Sequence, residues 1–294
     1  MANLKDLKNR IRSVKSTQKI TSAMKMVAAA KLRRAQDNAE AARPYAARMS
    51  SIINSLASKA TPETAPTMLV GTGADQRILL VVLSADRGLC GGFNGSIIRA
   101  TRREVERLKS EGKTVDLLMV GRKAKDALKR ELGDLIVDSR EGIQGTAVSF
   151  ADIDSIADVI RERLENGELD RCLILYNRFI SAITQEVTLS SLIPVEVEET
   201  EAADKDSASS APYEYEPDEA TVLEDLLPRN LSTQIYTAIL ESSASELAAR
   251  MTAMDNATRN AGDLIDRLTM EYNRRRQAAI TTELIEIISG AEAL

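Results

Sequence analysis

The sequence predicts an α/β plus α protein: a long antiparallel coiled coil of the N- and C-terminal helices, with a Rossmann-like α/β domain inserted between them. Three observations lead there. Residues 3–59 contain no glycine and one proline, Pro44, and are dominated by the helix formers alanine, lysine, arginine and methionine. Residues 75–195 alternate apolar runs with helix-like stretches. A heptad seam of more than four heptads begins at Leu247.

The N-terminal helix, 1–59, starts on Leu4, Leu7, Ile11 and Val14, which share one face. Gln18 and Thr21 then occupy the stripe, and the apolar side resumes with Ile20, Met24 and Val27. That slip is expected to change the winding locally. Small alanines follow, and Met49, Ile52, Ile53 and Leu56 restore a larger apolar face. Pro44 is expected to kink or interrupt the helix near Arg43. A continuous helix would be roughly 85 Å long at ~1.5 Å per residue.

Residues 60–74, with two prolines and two glycines between Thr61 and Gly73, read as a linker. In the α/β domain, Arg77–Ser84 is a continuous apolar run, as expected of a strand covered on both faces. A Gly-rich loop follows, then a helix from about Ser96 to Glu111, a strand Val115–Gly121 and a helix Arg122–Leu132. A short strand Asp134–Asp138, a helix Asp152–Asn166 and strands Cys172–Tyr176 and Ile183–Ile193 complete a mainly parallel sheet. Residues 196–217 form an acidic loop: twelve acids and one base, Lys205, lie between Glu196 and Asp225. The last helix, 218–294, is expected to be capped by Asp218. Its seam runs Leu247, Met251, Met254, Thr258, Ala261, Ile265, Leu268, Tyr272, Arg275, Ala279, with large apolar residues continuing at Ile280, Leu284, Ile287 and Ile288. The N-terminal stripe is the only comparable one, so the two termini are expected to pair.

Composition removes several mechanisms. There is no histidine, so neither an imidazole base nor an imidazole metal site exists. Cys90 and Cys172 are too few and too far apart for a zinc motif. No run of about 18 apolar residues suggests a membrane span. The helical register of the first residues reads as mature structure and not as a presequence. Residues 1–59 hold 13 basic residues against three acids, a net charge of +10 against −15 for the remainder. With Tyr45 the sole aromatic there, an acidic protein surface is a better partner than nucleic acid.

Three stretches invite a sharper reading. Ser84–Gly95 could cradle phosphates after an apolar strand, but it matches neither G-x-G-x-x-G nor the P-loop. A tight strand-to-helix turn is the other reading. Cys90 within it lacks a histidine to activate it. The acidic run lacks calcium-loop spacing. The basic stripe Lys5, Lys8, Arg12, Lys15, Lys19 is either a solvated flank or a contact with an acidic partner. Arg274, Arg275 and Arg276 point in three directions, so some are expected to meet another protein.

Taken together, Ser16–Lys31 (STQKITSAMKMVAAAK), Ser84–Gly95, Ala257–Gly262 (ATRNAG) and Tyr272–Gly290 (YNRRRQAAITTELIEIISG) resemble the γ-subunit family of the rotary proton-translocating ATP synthase, bacterial type. The resemblance implies a central stalk that holds no nucleotide or cofactor, ATP, ADP and Mg being bound by partner α and β subunits. It implies that rotation of the membrane c ring is coupled through this shaft to successive states of the catalytic β subunits, which make ATP, and that the shaft regulates ATPase activity and proton flow. The implied partners are the α and β subunits, the ε subunit and the c ring, without nucleic acid. The implied location is the cytoplasmic side of a bacterial inner membrane. By motif, Met24 and Lys25 are expected near an acidic loop of a β subunit, and Arg250, Arg276, Gln277, Thr281, Glu283 and Glu286 against α and β. Tyr213, Tyr215 and Glu216 match the foot on the c ring. The acidic 199–211 segment resembles an added loop, and the dithiol insertion of chloroplast relatives is absent.

Overall fold

A computed structural model of the chain describes residues 4–57, 66–143, 148–195 and 218–292. The chain divides into two compact units: residues 31–249, built on a sheet, and residues 1–30 with 250–294, a helix pair.

In the sheet unit, β1 (Arg77–Leu83), β2 (Thr114–Val120), β3 (Ile136–Arg140), β4 (Arg171–Phe179) and β5 (Gln185–Ile193) take the order β3-β2-β1-β4-β5. All neighbours are parallel except β4 and β5. The sheet is therefore mixed, with an antiparallel edge on a parallel body. β1 is central, and six of its seven residues are buried. Ile78, Leu80 and Val82 face α3 (Phe93–Ser110) and α4 (Arg122–Leu132) through Ile97, Leu108 and Leu128. Leu79, Val81 and Leu83 face α5 (Phe150–Glu165) and α6 (Glu219–Glu292) through Ile156, Ile160, Ile235 and Ile239. Burial on both faces explains why β1 is an unbroken apolar run.

Boundaries shift where local geometry overrides pattern. The linker contains a one-turn helix, α2 (Thr67–Val70), which buries Leu69 and stops at Gly71. α3 begins at Phe93, three residues before the expected start, because the Phe93 ring is buried. A 3₁₀ turn, Gly133–Leu135, takes the first part of the expected third strand and moves β3 on to Arg140. Asp218 caps α6 as expected, accepting the Thr221 backbone N–H at 2.9 Å.

Pro44 does not interrupt its helix. α1 runs from Leu4 to Ala57 through it. The hydrogen bond that proline cannot make lies on an exposed side, Glu40 and Pro44 both facing solvent, so the unpaired carbonyl is not buried. Beyond it Met49, Ile53 and Leu56 are packed against Leu223 and Leu227 of α6, and that packing holds the helix.

In the helix-pair unit the two helices are antiparallel, since Gln18 meets Gly262, Thr21 meets Thr258 and Lys25 meets Asp255. On α6 the seam is followed out to Ala279: Met254, Ala261 and Ile265 are buried and Thr258, Leu268, Tyr272, Arg275 and Ala279 half-buried. On α1 the expected slip does not occur. Gln18, Thr21, Lys25 and Ala28 continue the spacing of Leu4, Leu7, Ile11 and Val14 and are turned inward, whereas Ile20 and Val27 are 60% and 56% exposed. Mutual polar bonding with α6, not apolar area, decides which stripe is covered.

One carboxylate ties the linker to the sheet. Asp170, almost fully buried, accepts the backbone N–H groups of Gln76 (3.0 Å) and Arg77 (2.8 Å) and the Thr72 hydroxyl (3.0 Å). Burial pushes its pKa up, but the N–H groups of Arg77 and Gln76 and the Thr72 hydroxyl bind the ionised form, and the net pKa is lowered. A lowered folded pKa contributes stability that is complete above the unfolded value of about 3.9 and is lost as pH falls through the folded value. Asp170→Ala orphans two backbone donors and is expected to cost at least about 2 kcal/mol at neutral pH. Urea melts at neutral and acidic pH should show that deficit shrinking as the solution is acidified.

Candidate functional site

Open α/β sheets bind ligands beyond the carboxyl ends of their strands, where the strand order reverses. In this sheet that place lies beyond β1 and β4, at Ser84–Gly95, and the chain fills it with its own groups. Ala85, Cys90 and Phe93 are buried together, with Ala249 of α6 packed on them. Ser245 of α6 donates to the Asn177 carbonyl oxygen of β4 at 2.9 Å. Asn94 Oδ1 accepts the Ala85 N–H at 3.0 Å. The Asp86 carboxylate accepts the N–H groups of Arg122, first residue of α4, and of Gly142, each at 3.1 Å. A fixed negative group thus stands at the helix N-terminus that would otherwise attract a phosphate. The Cys90 thiol is buried and accepts a hydrogen bond from the Asn94 amide at 3.1 Å. Burial alone pushes the Cys172 thiol far up, which keeps it protonated and unreactive.

Elsewhere in the sheet unit a cavity of about 300 Å³ is lined by Ser50, Asn54, Tyr176, Ser190 and Gln234 among others, none of them charged. Among the described residues no three acids or cysteines converge as a metal site would require. The acidic run at 196–217, including the expected foot residues Tyr213, Tyr215 and Glu216, lies outside the described residues.

The helix-pair unit presents a different surface. Lys5, Lys8, Arg12, Lys15 and Lys19 are all exposed along one side of α1. Arg276, Gln277, Thr281, Glu283 and Glu286 are exposed on α6, and Met24 and Arg250 are half-buried. The three arginines part as their spacing implies: Arg274 and Arg276 face solvent, and Arg275 pairs with Glu271. Large apolar side chains share this surface, with Met270 65%, Ile280 56%, Leu284 56% and Ile287 70% exposed. An uncovered apolar ridge of this size beside charged groups marks a protein contact.

Lys25 is the exception within the expected contact set. Its Nζ lies 2.6 Å from Asp255 Oδ1, and Arg259 binds the other oxygen of that carboxylate. The hydrogen bonds from Lys25 and then Arg259 hold the Asp255 pKa below the usual carboxylate range. Sequence reasoning missed Asp255. The signal was available, because Lys25 follows Gln18 and Thr21 at heptad spacing and Asp255 adjoins the seam residue Met254. The direct Thr21–Thr258 bond, 2.8 Å, is invisible to periodicity, because each threonine read alone only interrupts an apolar stripe.

A sheet whose crevice is filled by its own groups, and a helix pair that exposes apolar and charged side chains, define a protein built for contact with other proteins. The ATP synthase family model matches residues 3–294. Curated gamma chains of ATP synthase from Paracoccus denitrificans (strain Pd 1222) and Rhodospirillum rubrum are each 56% identical to it, over 100% of both chains. The chain also resembles a chain in the Tetrahymena thermophila mitochondrial ATP synthase central stalk and c ring, with TM-score 0.60 and 30% identity over 81% of this chain and 99% of that one. A Euglena gracilis mitochondrial ATP synthase chain shares the fold at TM-score 0.68 and 22% identity, over 99% of this chain and 94% of that one. The chain belongs to the ATP synthase gamma chain family, a subunit family of that complex. Among the described residues no helix is long and apolar enough to cross a membrane.

The plugged loop depends on one close approach. Gly121 has φ +96°, and a Cβ built on it would lie 1.8 Å from the Ser84 carbonyl oxygen. Gly121→Ala is therefore expected to lower stability by about 3 kcal/mol or more, read as a drop in the urea midpoint.

Proposed function

We propose that this chain is the non-catalytic central shaft of a bacterial rotary ATP synthase, peripheral to the inner membrane on its cytoplasmic side. In this reading the helix pair stands inside a ring of α and β subunits, and the sheet unit meets ε and the c ring. Rotation of the c ring turns the shaft, and its uneven surface drives the β subunits in turn through states that bind ADP and phosphate, form ATP and release it. The same contacts regulate ATP hydrolysis and proton flow. Nucleotide and Mg belong to the partner subunits, and this chain binds no cofactor. Full-length likeness to gamma chains supports the role, as do the rotor and c-ring assemblies in which the structural relatives occur.

The observation that carries the reading is the surface of α6 beyond Ala279, where isoleucine and leucine alternate with exposed polar groups. Such a face is unfavourable in water and suits a smooth sleeve that must hold a shaft without bonding it in one position. Arg276, Gln277, Thr281, Glu283, Glu286, Met24 and Arg250 supply polar and apolar contacts to α and β. Tyr213, Tyr215 and Glu216 form the foot on the c ring. The basic side of α1 meets acidic groups of the β subunits.

Co-purification tests the assignment: the chain should assemble with a hexameric ATPase head and join it to ε, and a chain that assembles with neither is no shaft. Within the assembled complex, Arg276→Glu should lower proton pumping per ATP hydrolysed while leaving the chain folded. Unchanged pumping would remove Arg276 from the contact set.

A further inference from the structure

Between residues 18 and 28, α1 carries two competing stripes. One is Gln18, Thr21 and Lys25, ending on Ala28; the other is Ile20, Met24 and Val27. On apolar area alone the second should face α6. The opposite is found, with Thr21 and Ala28 buried, Met24 half-buried, and Ile20 and Val27 more than half exposed.

Directional bonds account for the choice. In three successive layers, polar groups of α1 meet polar groups or a glycine on α6. Lys25 Nζ lies 2.6 Å from Asp255 Oδ1. Thr258 Oγ1 lies 2.8 Å from Thr21 Oγ1, and Thr21 is in turn 3.1 Å from the Gln18 carbonyl oxygen. The Gln18 side chain lies over Gly262, where an added Cβ would stand 3.2 Å from its Nε2. Glycine inside a helix costs helix stability, and here it makes room for that amide. Rolling α1 about its axis to cover Ile20 and Val27 would bring hydrocarbon against Asp255 and Thr258 and remove their α1 partners, leaving Asp255 only Arg259 and Thr258 only the Met254 carbonyl oxygen on their own helix. A polar layer of this kind sacrifices apolar contact and excludes the alternative packing.

We infer that this three-layer interval sets the rotational phase of α1 against α6. Lys25 and Asp255 are positioning residues, and the phase they set keeps Ile20 and Val27 outward, toward the ring of α and β subunits. The phase stands on the helix pair alone; the use of the outward surface rests on the shaft role proposed above. Torque on a shaft acts to roll its helices, and hydrogen bonds resist rolling where apolar contact does not.

Two disulfide reporters in the full-length chain test the phase, Cys90 and Cys172 being buried and out of reach. Thr21→Cys with Thr258→Cys should cross-link readily, and Ile20→Cys with Thr258→Cys poorly. Adding Lys25→Asp or Asp255→Lys should shift the yield ratio toward the second reporter by about fivefold, as expected for residues in direct contact. The double reversal should return it, Arg259 being 74% exposed and able to turn to solvent. Should a reversal unfold the chain, Lys25→Met with Asp255→Leu removes the pair without a repelling charge and should shift the ratio likewise. A ratio unmoved by single changes, or not returned by the double reversal, overturns the phase role.

In the assembled complex, proton pumping per ATP should fall in each single reversal and recover in the double one. A double reversal as impaired as Lys25→Asp alone would assign Lys25 to a partner and overturn its positioning role. If no complex assembles, the shaft reading fails, and the disulfide ratio still decides the phase.

Discussion

An amphipathic helix cannot cover its own stripe, and the rest of this molecule follows from that. Among the described residues, the inward face of residues 4–30 of α1 is covered by α6 from 250 onward, so the chain brings its two long helices together. Antiparallel pairing allows this with a whole sheet unit between the ends in sequence. The cover is incomplete by construction. α6 continues beyond Ala279 with its large apolar side chains exposed, and α1 holds Ile20 and Val27 outward although both could be buried.

The sheet unit shows how a fold that commonly binds nucleotides can fill its crevice with its own side chains without changing its plan. The strands reverse order at β1, and a Gly-rich loop follows β1 as in dinucleotide-binding proteins. What differs is occupancy. α6 lies over the crevice through Ser245 and Ala249, and Asp86 binds the N-terminal amide of α4. The N–H groups of Ala85, Arg122 and Gly142 are already bonded to side chains of the loop. The unit keeps its two-faced core.

Both units present shape and surface more than reactive groups. There is no histidine to move a proton. The cysteines are buried, and the cavity beside β4 and β5 is lined by uncharged groups. What remains at the surface is uneven charge and exposed hydrocarbon, the means by which one protein presses on another. A shaft needs this uneven profile and a core that does not roll under load. The polar interval in the helix pair answers the second need at the expense of apolar burial.

Much of this was legible in the residues themselves. The unbroken apolar run at Arg77–Leu83, the helix periods of α4 and α5, the Asp218 cap and the seam from Met254 to Ala279 are local patterns. Each depends on spacing along one segment, which the sequence displays directly. That the adjacent Arg274, Arg275 and Arg276 point different ways was legible too, and Arg274 and Arg276 do face solvent. Gln18, Thr21 and Lys25 were not legible, because their meaning lies in Asp255, Thr258 and Gly262, more than two hundred residues away. Read alone they break an apolar stripe; read in pairs they complete a polar one. Pro44 likewise looks like a helix breaker until Leu223 and Leu227 are seen to pack against the turns beyond it. The sequence by itself determined which segments become helices and strands and that the two ends must meet. Only the tertiary structure decided which face of α1 turns inward, because the energy that decides it belongs to bonds between the helices and to neither helix alone.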